Sequence, residues 1–127
     1  MENENNTFND EFRQRSKSLA MTICRWLEEL PKKESLFYLK GQLIRSGTSV
    51  AANFRAACRA RSAQEYYSKL CIVVEECDET LFWIEFIEET FSIQNDNTPL
   101  IKKETSELLA VFSTTKRRLK EKYKNKK

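Results

Sequence analysis

The chain has 127 residues, with 22 Lys or Arg against 19 Asp or Glu, a formal net charge of +3 and no histidine. That length supports one domain (residues 1–127) with a core of its own, built without metals or disulfides. The lack of histidine removes the commonest general base, and two Gly with two Pro leave little material for hairpins.

Four helices are expected. The first covers about residues 8–30, where Phe8, Phe12, Leu19, Ile23, Trp26 and Leu30 form one stripe, with Thr7 or Asn6 as its cap. Pro31 closes it, because proline cannot continue the hydrogen-bond ladder. The second covers about residues 34–60 on a stripe of Leu36, Leu39, Leu43, Val50, Phe54 and Cys58. Gly41 and Gly47 lower its helix propensity, which implies close packing, a bend or a break near residues 45–49. The third, about residues 62–91, starts on a capping box in which Ser62 and Glu65 satisfy free backbone donors. Its heptad-like seam is Tyr67, Leu70, Val74, Cys77, Leu81 and Ile84. Phe82, Trp83, Phe86 and Ile87 fall outside that seam, so a second contact surface, an oligomer interface, is expected there. The fourth covers about residues 99–123 after a Thr98-Pro99 start, on a stripe of Ile101, Leu108, Phe112, Thr115, Leu119 and Tyr123, with fraying from Lys124. Short connections make the fold all-α, an antiparallel up-down four-helix bundle.

Catalytic and metal chemistry find no support. Cys24, Cys58, Cys71 and Cys77 form no Cys-x-x-Cys pair and read as small apolar side chains at helix contacts. Glu75, Asp78 and Glu79 read as a solvated acidic face, not as ligands. No catalytic residue, metal or other cofactor is expected. The polar, acidic start MENENNTFND is unlike a signal peptide, and no apolar run approaches the ~20 residues of a membrane span. The expected location is a reducing cytoplasm with no membrane contact.

The bases are unevenly spread. Arg45, Arg55, Arg59, Arg61 and Lys69 lie in one stretch, and Lys116, Arg117, Arg118, Lys120 and Lys122 in another. Arg55 and Arg59 either complement the dipole of the second helix or contact phosphates together with the others. Tyr66 and Tyr67 are candidates for stacking on bases, although Tyr67 reads as core. Asn53 is expected to make an interhelical hydrogen bond that sets register.

The run LIRSGTSVAANFRAACRARSAQEYYSKLCIVVEECDETL resembles the four-helix-bundle proteins encoded by intervening sequences in bacterial ribosomal RNA genes. It is also similar to their relative, the accessory protein of diversity-generating retroelements. Gln42, Arg45, Ser46, Ser49, Val50, Asn53, Ser62, Glu65, Tyr66, Leu70 and Glu79 fit the family pattern, as does Pro31. The chain departs from it at Ala56 and Ala57, where the family has an acid and a helix-ending Gly, so the second helix is expected to run on and the turn to be more basic. The resemblance implies a cyclic homopentamer without catalysis and, in the retroelement branch, binding to nucleic acid and a reverse transcriptase. The expected function is a non-enzymatic homo-oligomer binding RNA or DNA through a basic surface. The alternative is a protein-binding adapter anchored by Phe82, Trp83 and Phe86.

Overall fold

The computed structural model describes residues 2–125, and side chains over residues 7–124. Among the described residues there are four helices and no strand: α1 (Glu2–Glu28), α2 (Glu34–Cys58), α3 (Ala63–Thr90) and α4 (Thr98–Asn125). Contacts across the bundle fix an up-down order. Phe8 meets Phe54, Phe12 meets Phe112, Ser46 meets Thr80, and Tyr67 meets Tyr123. Each helix therefore runs antiparallel to its two neighbours, in the cyclic order α1, α2, α3, α4.

The apolar stripes of α1, α2 and α4 enter the core largely as their spacing requires. Phe12, Leu19, Ile23, Trp26 and Leu30 are buried from the first; Leu36, Leu43, Val50 and Phe54 from the second; Ile101, Leu108 and Phe112 from the fourth. Phe8, Phe12, Phe54 and Phe112 stack in a chain of ring contacts with centroids 4.6 to 6.3 Å apart, near the end where α1 begins. The opposite end is tied by a buried bond: the Trp26 indole N–H donates to Thr98 Oγ1 at 2.9 Å. Thr98 is the first residue of α4, but its hydroxyl serves this tertiary bond and not a cap.

Several local expectations need correction. Thr7 lies inside α1, which begins at Glu2, so Thr7 is not its cap, and the side chain of Asn6 lies outside those described. The second helix neither breaks nor runs on: it is continuous to Cys58 despite its two glycines. Gly47 is buried, and a Cβ there would stand 3.4 Å from Ile23 Cδ1, so the position suits close packing of α1 on α2. The third helix buries Leu70, Cys77 and Ile84 of the expected seam, but Val73, Thr80 and Ile87 take the alternate positions in place of Tyr67, Val74 and Leu81. Tyr67, Val74 and Leu81 sit only half-buried, because α3 packs against both α2 and α4 and its apolar surface is wider than one stripe. Lys124 is still helical, while Lys126 and Lys127 lie outside the described residues.

Helix ends follow their local chemistry. Ser62 Oγ accepts the Glu65 N–H at 3.0 Å, which caps α3. At the other end of α3 the Ile93 N–H reaches back to the Glu88 carbonyl at 3.0 Å, a Schellman closure. The residue in the left-handed position of that closure is Ser92, with φ 50°, where glycine is the usual occupant.

Candidate nucleic-acid interface

Three acids of α3 are held by bases of the neighbouring helices, while Glu75, Asp78, Glu85 and Glu89 stay exposed and form no ion pair among the described residues. Arg45, exposed on α2, forks between Glu76 at 3.1 Å and Glu79, whose carboxylate also accepts the Trp83 indole N–H at 3.2 Å. Hydrogen bonding to Arg45 holds the Glu79 carboxyl below its ordinary pKa. Lys102 on α4 meets Glu88 at 2.7 Å. Arg15 on α1 meets Glu104 at 2.6 Å and Glu107 at 3.2 Å on α4.

Arg45 therefore separates from the other candidate bases. It lies 10 and 14 residues before Arg55, on the same continuous helix, and Arg59, the residue just past its end, about 15–21 Å along the axis at 1.5 Å per residue. Its two carboxylate partners already neutralise it, so we exclude it from the candidate interface.

The remaining candidates collect at the end of the bundle where α2 stops, α3 starts and α4 finishes. Arg55 and Arg59 stand one turn apart, both exposed. Arg61 follows in the turn, its side chain 90% exposed and 3.7 Å from Glu65, a weak surface pair. Lys69 is half-buried on the second turn of α3. Among the described residues, Arg55, Arg59, Lys69, Lys116, Arg117, Arg118, Lys120 and Lys122 form no ion pair. On α4 these bases divide. Arg118 and Lys122 share the face of Thr115 and Leu119, whereas Lys116, Arg117 and Lys120 point to other sides, as about 100° per residue requires.

A cleft of about 570 Å3 opens at this end, which sequence reasoning missed because its walls come from all four helices. Phe8, Ala57 and Leu119 give it an apolar lining, and Arg118 and Lys122 add exposed positive charge. The Tyr66 hydroxyl donates to Asn9 Oδ1 at 3.2 Å, and burial pushes its pKa up to about 12. Burial likewise raises the Cys58 thiol, which contacts the Asn9 carbonyl at 3.9 Å. Both groups stay neutral near pH 7, so the charge of the cleft is that of its cations. Tyr66 packs against the core and Tyr67 sits half-exposed beside Tyr123, the reverse of the sequence expectation.

Two further candidate roles change. Asn53 donates to the Ser49 carbonyl and hydroxyl, both at 2.9 Å and on its own helix, so it makes no interhelical register bond. That bond belongs instead to Thr80 and Ser46, whose buried hydroxyls meet at 3.1 Å. Of the expected oligomer surface, Phe82 and Phe86 are 52% and 40% exposed, and both rings contact Trp83. Ile87 is 0% exposed within its own bundle and belongs to the core. Phe37 and Tyr38, at 79% and 67%, are more exposed than any of these. The sequence signal for them was present: two adjacent aromatics beside the Leu36 stripe.

Residues 9–114 match the family model described as 23S rRNA-intervening sequence protein. The chain belongs to this family. The intervening-sequence pattern that suggested it proves to be mainly architectural here: Arg45 with Glu79, Ser49 with Asn53, and Ser62 with Glu65 are contacting pairs. Among solved structures, a protein of unknown function from the S23 ribosomal protein family of Bacteroides thetaiotaomicron is similar, with a TM-score of 0.76 and 27% identity. The match covers 86% of this chain and 97% of that one. No curated protein matches. No helix among the described residues is long and apolar enough to cross a membrane, and none of their Cys, Asp and Glu side chains form a group that could hold a metal ion.

Proposed function

We propose that this intervening-sequence family member is a non-enzymatic, cytoplasmic homo-oligomer, a cyclic pentamer, that binds RNA or DNA through the basic end of each bundle. The observation that carries the reading is the sorting of charge. The acids Glu76, Glu79 and Glu88 are held by Arg45 and Lys102, while Arg55, Arg59 and the bases of late α4 are left without partners at one end, where Arg61 has only its weak surface pair with Glu65. Unpaired cations clustered on a folded surface favour a polyanion, because each phosphate contact releases a condensed counterion. In this reading Arg55, Arg59, Arg61, Arg118 and Lys122 contact phosphates, with Lys69, Lys116, Arg117 and Lys120 adding to the field.

Assembly rests on the exposed aromatic surface. Phe82, Trp83 and Phe86 form a ring cluster with centroid spacings of 5.0 to 5.9 Å. The register set by Ser46 and Thr80 brings Tyr38 of α2 to about the level of Phe86. Surface of this kind is stabilised by burial against a second copy. The wild-type chain should scatter light as a multiple of its 15.0 kDa mass, and Phe82→Asp with Phe86→Asp should reduce it. A 15.0 kDa wild-type species at micromolar concentration overturns the assembly. Reversing Arg59 and Arg61 to Glu separates the two roles: RNA binding should fall while assembly persists. Loss of assembly instead would place the arginines between subunits. Capture of partners that nuclease treatment does not release would favour the adapter reading, which the same aromatic cluster could serve.

A further inference from the structure

A surface that only neutralises phosphates needs no cavity, yet the basic end has one. Its volume, about 570 Å3, falls within the roughly 300–1,000 Å3 of small-ligand sites. The cleft combines an apolar lining, the rings of Phe8 and Tyr66, and two cations one turn apart on α4, Arg118 and Lys122. Apolar walls beside paired cations suit a flat, uncharged ring attached to an anion. We propose that this cleft takes one unpaired nucleobase of a single-stranded segment, while Arg118 and Lys122 hold its flanking phosphates. The proposal rests on the nucleic-acid reading above and adds to it a preference for unpaired strands.

The polar groups in the cleft fit that occupant. Tyr66 donates its hydroxyl to Asn9 Oδ1, which leaves the Asn9 amide nitrogen as the free donor of that side chain. Such a donor matches the exposed carbonyl edge of uracil, cytosine or guanine. The thiol of Cys58 and the phenol of Tyr66 are both held neutral by burial, so neither repels nor competes for a phosphate. A base paired in a duplex cannot enter, because its edge is taken and its ring is stacked.

The test uses the full chain, a labelled oligouridylate, and a fully paired RNA duplex of equal length, followed by fluorescence anisotropy. Ala63→Trp fills the cleft from the exposed first residue of α3, where the fold tolerates bulk, and Ala60→Trp fills it from the preceding turn. Each should weaken oligouridylate binding about tenfold or more, the loss of one stacked base, and leave duplex binding unchanged. An abasic strand should bind wild type as weakly as oligouridylate binds the filled variants. Equal losses for strand and duplex, or no loss for either, would overturn the cleft assignment and leave the basic surface standing. Failure of wild type to bind either probe would overturn both.

Discussion

Replacing Arg45 by Met should lower stability without touching nucleic-acid binding. The side chain of Arg45 is 51% exposed, and its partners Glu76 and Glu79 are 18% and 34% exposed. Partly exposed pairs contribute about 0.2–1 kcal/mol each, and the two glutamates, three residues apart, then repel by a few tenths more. The total is about 1–2 kcal/mol, or roughly 3–8 °C in Tm for a domain near this size. Met keeps the apolar stem, so the loss is electrostatic. Glu79 gives the loss a pH signature. Its folded pKa lies below the unfolded one, chiefly through the hydrogen bond from Arg45, so its stabilisation is full above the ordinary carboxylate pKa. It disappears as pH falls through the lowered value. Urea unfolding followed by far-UV circular dichroism should therefore show a gap between wild type and variant at neutral pH that closes in acid. Equal stability at neutral pH, a gap that survives in acid, or a loss of RNA affinity would each refute the assignment of Arg45 to the α2–α3 contact.

Two other outcomes follow from local geometry. Ser92→Gly should stabilise the chain by about 0.5–1.5 kcal/mol, since φ at Ser92 is 50° and glycine carries no Cβ penalty there; an unchanged or lower midpoint in urea would contradict the closure described after α3. Thr98→Val should destabilise by about 1–3 kcal/mol, because the buried Trp26 indole N–H loses its acceptor, with indole fluorescence and thermal unfolding as readouts. A neutral result would show that another acceptor takes its place.

Most of the fold was legible because it is written locally. The stripes of α1, α2 and α4, the stop before Pro31 and the Ser62 cap all depend on residues within a few turns of each other. Half of the α3 seam, the positions of Val73, Thr80 and Ile87, was misread for a physical reason. A threonine looks too polar for a core position, and Thr80 is buried only because Ser46 and the Glu76 carbonyl satisfy its hydroxyl. The candidate site was less legible. Arg45 looked equivalent to Arg55 and Arg59 in sequence, but its carboxylate partners lie 31 and 34 residues away. Ile87 looked like surplus apolar surface because that half of the seam was out of phase. The cleft was invisible, since Phe8, Ala57, Tyr66 and Leu119 meet only when all four helices are in place.

The salt dependence of nucleic-acid binding tests the central claim most directly. If at least four of the unpaired bases contact phosphates, the logarithm of affinity should fall against the logarithm of salt concentration with a slope of about −3, roughly a 60-fold loss over a fourfold rise in salt. Arg59→Glu combined with Arg118→Glu should weaken binding to structured RNA and flatten that slope. Binding that is absent for both structured RNA and duplex DNA, or that does not vary with salt, would contradict a basic-end interface.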